Sequence, residues 1–243
     1  MSIKVPLVIP THKLVFTNKE RRRIMNNKKM NSSIIFAIPA SNLKVFGSRY
    51  GDIGEIVTFD DEFFTSRAAY NRMLLSKVFW KKFLVHEKII ICQTDAILVK
   101  PTEQLNGFDY TLIGSPWKRP RKFRIVSGEV CVSYRRHFLY PCEYLYVGNG
   151  GLSFRNTSDH LQVLGDFEFT TLPSVMLSGR VNEDLVFSYL FKSFSFPIPS
   201  PSVAASIFLE ETAKGLRGIP DVFGFHALNR FNPDLETLIL GSD

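Results

Sequence analysis

The chain has 243 residues, 45% hydrophobic and 22% charged, with a formal charge of +7 and a pI near 9.3. That length and balance suit one or two domains with a sizeable core and exclude a disordered or fibrous chain. No apolar run approaches the roughly 18–20 residues that span a bilayer, and "MSIKVPLVIPTHK" lacks the apolar core and small-residue cleavage site of a leader, so a cytoplasmic chain is expected.

In chain order, "KVPLVIP" (4–10) is a short apolar run stopped by Pro10, and "NKERRRIMNNKKM" (18–30) is a polar stretch of helix-compatible residues. "SIIFAIP" (33–39) is a second buried-type run. In "RAAYNRMLLSKVFWKKF" (67–83), Tyr70, Leu74, Leu75, Val78 and Phe79 recur at helical spacing, with Arg72, Lys77 and Lys81 for a wetter side, which predicts one amphipathic helix. "KIIIC" (88–92) then reads as a fully buried strand. Alternation of apolar strands with helical stretches predicts an α/β fold with a mainly parallel central sheet flanked by helices. With no internal repeat and no Gly/Ser linker, one domain is the simpler organisation.

Farther along, "FDYTLIGSPW" (108–117) precedes the basic run "KRPRKFR" (118–124), which contains Pro120 and reads as a loop. "EYLYVGNGGLSFRN" (143–156) reads as two strand-like pieces hinged on glycines. "EDLVFSYLFKSF" (183–194) has a helical pattern introduced by Asn182 as N-cap, with Glu183 and Asp184 in the first turn. The last third, with "GFHALNRFNP" (224–233), shows weaker periodicity.

Three cysteines, Cys92, Cys131 and Cys142, lack metal-ligand spacing and cannot all pair with one another, so reduced thiols are expected. The positive charge favours an anionic partner, such as a nucleotide or an anionic lipid surface. The basic segments "KERRR" (19–23) and "KRPRKFR" could give peripheral membrane contact or could be ordinary solvated faces. No zinc-finger spacing, aromatic RNA-binding box or helix-turn-helix supports a nucleic-acid partner.

Four places carry candidate chemistry. Ligands of an open α/β sheet gather at the carboxyl ends of its parallel strands, so Asp95, leaving the buried run "IIICQTD", is aimed at a binding site and offers a hard oxygen to a divalent metal. A turn-forming Asp explains the same position. Gly148, Asn149, Gly150 and Gly151 form either a backbone surface laid against a ligand, with Asn149 free to hydrogen-bond it, or a tight turn between strands. Glu183 and Asp184 at a helix start suit a base that takes a hydroxyl proton, and equally suit the helix dipole. His226, in "FGFHAL", is a competent metal ligand in a setting that also fits a structural histidine. Trp117 offers a flat face to a sugar ring or to the core.

Taken together, "QTDAIL", "FDYTLIGSPW", "VGNGGLSFRN", "NEDLVF" and "GFHAL" resemble the GT-A glycosyltransferases. More narrowly, they are similar to a bacterial and fungal glycosyltransferase-like family catalogued as a domain of unknown function. The likeness covers about residues 68–230. It implies a GT-A-like (Rossmann-like) domain over 1–243, with a donor-binding part over about 1–115 and an acceptor-side part over about 116–243 that includes 118–142 as a loop or flap.

The resemblance implies transfer of a sugar from a nucleotide-diphospho-sugar, a UDP-sugar being favoured, to a hydroxyl of a glycan or glycolipid acceptor, in surface polysaccharide or glycoconjugate synthesis. Asp95 matches the last Asp of the family's Asp-x-Asp motif and His226 the late histidine that completes coordination of Mn²⁺ or Mg²⁺. Gly148 to Gly151 match the loop near the donor sugar, with Gln93 and Thr94 beside it. Asp184 matches the general base of inverting members, and Glu183 would orient the acceptor or the loop. One departure stands out: Gln93 occupies the place of the first acid, leaving one carboxylate fewer for a metal. A non-catalytic sugar- or nucleotide-binding module is the competing reading.

Overall fold

The structure is a computed structural model that describes residues 5–126, 129–133, 142–166 and 178–241. The chain alternates strands and helices through its first third: β1 (Leu7–Pro10), α1 (Asn18–Met30), β2 (Ile34–Pro39), α2 (Leu43–Tyr50), β3 (Glu55–Phe59), α3 (Arg67–Leu74), α4 (Lys77–Phe83) and β4 (Lys88–Cys92). The two-residue β5 (Ile97–Leu98) follows, then three strands of the second half, β6 (Leu112–Val126), β7 (Glu129–Ser133) and β8 (Glu143–Asn156). Helices α5 (Thr157–Asp166), α6 (Glu183–Ser193) and α7 (Pro201–Ala205), strands β9 (Phe208–Leu209) and β10 (Gly224–Phe225), and helices α8 (Leu228–Phe231) and α9 (Pro233–Leu240) complete it.

The main sheet has the order β3-β2-β1-β4-β8-β6-β7. Its first four strands are mutually parallel in the 3-2-1-4 order of Rossmann-like folds, and β8 joins β4 antiparallel. Strand β6 again runs with the parallel set, so five of these seven strands share one direction. This is the mainly parallel α/β sheet that the apolar runs predict. Alternate residues of each run face opposite layers. Val8, Ile35, Ile89 and Ile91 pack with Phe79, Trp80, Phe187 and Phe191 of α4 and α6, whereas Leu7, Ile9, Phe36 and Ile90 pack with Ile24, Phe46 and Tyr50 of α1 and α2. Burial on both faces is why these strands read as unbroken apolar runs.

Several local expectations change. The stretch 67–83 forms two helices, because Ser76 caps α4 by accepting the Phe79 N–H at 3.3 Å and donates its hydroxyl to Met73 O at 2.6 Å. The new start rotates the apolar face, so Trp80 is buried and Val78 is 51% exposed. "KRPRKFR" is part of β6 rather than a loop: Arg121, Lys122 and Phe123 pair with Leu145, Tyr144 and Glu143, and Pro120 falls in the irregular stretch between Pro116 and Arg121, where no ladder N–H is required. The acceptor-side loop or flap expected over 118–142 is therefore in part the β6–β7 pair, while 127–128 and 134–141 lie outside the described residues.

The glycine segment runs as one strand, but its pairing with β6 breaks at the glycines: Gly114, Ser115 and Pro116 pair with Ser153, Asn149 and Val147, so Gly148 and residues 150–152 are extra residues of β8 and the expected hinge is a bulge within the strand. "KERRR" lies within α1. There Arg23 is buried and pairs with Glu236 of α9 at 2.6 Å, and Lys19 reaches the same carboxylate at 2.6 Å. This basic cluster pins the last helix to the first. Among the described residues, no helix is long and apolar enough to cross a membrane.

Candidate functional site at the carboxyl ends of β1 and β4

Two short registers assemble the site. β5 begins just after Asp95 and pairs antiparallel with β10, which ends just before His226, so the Ala227 N–H reaches Asp95 O at 3.2 Å. β9 runs parallel to β10 with Leu209 opposite Phe225, which sets Glu210 beside His226. The imidazole therefore stands between two carboxylates separated from each other by more than a hundred residues: Nε2 is 3.2 Å from Asp95 Oδ1, and Nδ1 is 3.2 Å from Glu210 Oε1. The Glu210 contact has ion-pair distance without hydrogen-bond alignment. Burial works to lower the His226 pKa, but the contacts with Asp95 and Glu210 outweigh it and push the pKa up to about 9. Burial likewise works to raise that of Asp95, and the His226 contact holds it below the usual range.

On the neighbouring strand, Gln93 N–H donates to Gly151 O at 2.8 Å, which seats the β8 glycines beside the end of β4. Glycine at 151 lets the His226 ring sit against the strand: a Cβ there would stand 2.0 Å from His226 Nε2 and force the ring to shift. Gly148 has φ of +151°, and its Cβ would meet Ser188 Oγ at 2.0 Å. Close approach of α6 and of the His226 ring, not a hairpin turn, is what the glycines permit.

Helix α6 delivers the acids. Asp184 Oδ2 accepts the Gly150 N–H at 3.1 Å and Oδ1 accepts the Leu185 N–H at 2.7 Å. Burial, then the neighbouring Glu183 carboxylate, pushes the Asp184 pKa up to about 7. That is the opposite of the lowering expected at a helix start, because desolvation outweighs the backbone donors. Glu183 is buried and pairs with Arg155 at 2.9 Å. Asn182 occupies the N-cap position, but its side chain accepts from Arg67 Nη2 at 2.8 Å and does not cap the helix.

Gln93, Asp95, Asn149, Gly150, Gly151 and Trp117 line one cavity of about 470 Å³ together with Glu183, Asp184 and His226. Trp117 lies over Gly148, and the Arg121 guanidinium stands 5.6 Å from its ring. Gly148 itself is not part of the lining. Thr94 lies instead in an adjoining cavity of about 630 Å³ with Pro10, Thr11, Glu20 and Arg23, where its hydroxyl donates to Glu20 Oε1 at 3.1 Å. Arg67, Tyr70, Gln93 and Asp95 line both cavities and form the border between them.

Sequence reasoning missed Arg155, Glu210, Arg67 and Tyr70. A lone arginine inside the apolar strand "LSFRN" is the signal for a buried pair. Glu210 has no such signal, since only the register of two-residue strands brings it to His226.

As to a metal, no group of three or more His, Cys, Asp and Glu side chains among the described residues is arranged to hold one. Two ligands bound to one octahedral ion at about 2.1 Å and at right angles stand about 3 Å apart. Asp95 Oδ1 to His226 Nε2 at 3.2 Å and His226 Nε2 to Gln93 Oε1 at 3.3 Å each match such an edge, so His226 with either neighbour would suit a shared ion once the imidazole gives up its proton.

Comparisons with solved structures found mouse xyloside xylosyltransferase 1 in its apo form, 8% identical over 98% of this chain and 94% of that one, with a TM-score of 0.44. They also found 4-diphosphocytidyl-2C-methyl-D-erythritol synthase from Anaerococcus prevotii, 11% identical over 84% of this chain and 96% of that one, with a TM-score of 0.45. A search of the curated proteins found no match. A family model matches residues 54–226, which include β4, the β8 glycines, the acids and the histidine of this site but not β1, and the chain belongs to that family, described as "Protein of unknown function (DUF5672)".

Proposed function

We propose that the chain is a glycosyltransferase of the GT-A type, acting as one nucleotide-sugar-binding domain that transfers a sugar from a nucleotide-diphospho-sugar to an acceptor hydroxyl with inversion. The observation that carries this reading is Asp184: a desolvated carboxylate with a pKa pushed up to about 7, fixed by the Gly150 N–H in the same cavity as Asp95 and His226. A base poised near neutrality is what removal of a hydroxyl proton requires.

In this reading the nucleoside occupies the larger cavity, at the ends of β1 and β4, and the sugar crosses the border of Tyr70, Gln93 and Asp95 toward Asp184. The acceptor oxygen attacks the anomeric carbon from the face opposite the leaving nucleoside diphosphate. Its new C–O bond forms as the bond to the phosphate oxygen breaks, and its proton passes to Asp184. Such base catalysis contributes about 10²–10⁴-fold. Asp95 and His226, with Gln93, would hold a divalent metal, which when bound neutralises the diphosphate and makes it a better leaving group. Glu183, paired with Arg155 and packed beside Gly150, would orient the acceptor or the loop around it, and Trp117 would offer its face to a sugar ring.

The test is a panel of nucleotide sugars, UDP-sugars first, assayed by thermal shift and nucleoside diphosphate release with and without Mn²⁺ on wild type, Asp95→Ala and Asp184→Asn. One donor should stabilise the wild type and be turned over, and Asp184→Asn should bind it without turnover. Gln93 in place of an acid favours one other reading, a binding module without transfer. Donor binding with no release by the wild type, in any metal, would establish that module instead.

A further inference from the structure

We infer that Arg67 is the fixed cation that grips the diphosphate of the donor, and that this grip is separate from nucleoside binding; the inference rests on the nucleotide-sugar reading of the two cavities. Arg67 is the only Lys or Arg that lines both cavities among the described residues: Lys13 and Arg23 face only the larger one, Arg121 and Arg230 only the smaller. A donor with its nucleoside in one cavity and its sugar in the other must lay its diphosphate across the border, and so against Arg67.

The guanidinium is free to take this part. Arg67 is exposed, and its hydrogen bond to Asn182 uses one of five N–H groups. A planar guanidinium binds two phosphate oxygens at once, which an ammonium does not. The rest of the border shows why a fixed cation is needed. Gln93 contributes no charge and Asp95 is an anion, so apart from any metal the border offers the diphosphate only Arg67, with His226 behind Asp95 already committed to two carboxylates. The bond from Arg67 to Asn182 also ties the phosphate position to the start of α6, one residue before Glu183 and two before Asp184.

The experiment is calorimetric titration of the full chain with inorganic pyrophosphate, UDP, UMP and uridine, and with the guanosine series in parallel, in Mg²⁺ and in EDTA. Wild type, Arg67→Gln, Arg67→Lys and Asn182→Ala are compared, with a melting curve for each. Arg67→Gln should weaken the diphosphates and pyrophosphate about 10- to 100-fold, the scale of one charge-assisted bidentate contact, and leave uridine or guanosine within about twofold. Arg67→Lys should recover only part, and Asn182→Ala, which keeps the guanidinium but frees it from α6, should weaken diphosphate binding less than Arg67→Gln does. Unchanged diphosphate binding in Arg67→Gln, or equal losses for nucleoside and diphosphate, would overturn the inference while leaving the donor reading intact. Failure of the wild type to bind any of these probes would bring down both.

Discussion

Arg155 Nη2 stands 2.9 Å from Glu183 Oε1, and the two side chains are 0% and 5% exposed. Arg155 Nε also donates to Ser153 Oγ at 2.8 Å, and the guanidinium lies 6.0 Å from the Phe187 ring. A pair this deep is costly to break from one side, because the survivor is left as a buried charge. Glu183→Ala should therefore lower stability by about 3–5 kcal/mol in urea melts, whereas Arg155→Met with Glu183→Leu should regain most of it. A loss below about 1 kcal/mol for the single change would mean that water reaches the arginine and that the pair is not what holds β8 to α6.

Asp184 gives a pH dependence of defined sign. Its carboxyl titrates at 3.8 when unperturbed and at about 7 in the fold, so the folded state binds the proton more tightly. The stability due to the neutral carboxyl is present below the unfolded value and is lost as pH rises through about 7. Asp184→Asn keeps a neutral group at every pH. It should melt higher than wild type at pH 8, by on the order of 1–3 kcal/mol, and match it near pH 4.

Transfer should show the opposite preference. The base must be ionised to accept a proton, so kcat/KM should fall about tenfold per pH unit below about 7 and level off above it. Rates measured from pH 5 to 9 with saturating metal test this. A flat profile through pH 6 would remove Asp184 from the proton transfer, whatever its contribution to stability.

Legibility in the sequence followed how local each cause is. The strands "LVIP", "IIFAIP" and "KIIIC" were readable because burial on both faces leaves no polar position, and α1 because its residues are helix-compatible throughout; the Thr17–Glu20 capping box that starts it was a signal left unused. Gln93, Asp95, the β8 glycines, Asp184 and His226 were all named from sequence, and all but Gly148 line one cavity. What failed was set by contacts between distant segments. The Ser76 break is a one-residue capping choice inside a good helical pattern, and the strand at 118–124 exists because β8 pairs with it, against the local signal of Pro120. Glu210 reaches His226 through two residues of strand pairing, a register that composition does not encode.

The contact between Gly151 and His226 yields a prediction free of any assumption about substrate. A Cβ on residue 151 would stand 2.0 to 2.4 Å from three ring atoms of His226, and the ring is held by Asp95 and Glu210, so it cannot simply swing away. Gly151→Ala should then destabilise the chain by about 1–3 kcal/mol, the usual scale of overpacking. In a His226→Ala background the same methyl group enters the space the ring has left, and its cost should fall below about 0.5 kcal/mol, a non-additivity that a double-mutant cycle in urea measures directly. Additive costs would show that the ring is not seated on Gly151. In that case the placing of His226 Nε2 within 3.2 Å of Asp95 and 3.3 Å of Gln93 would lose its geometric basis.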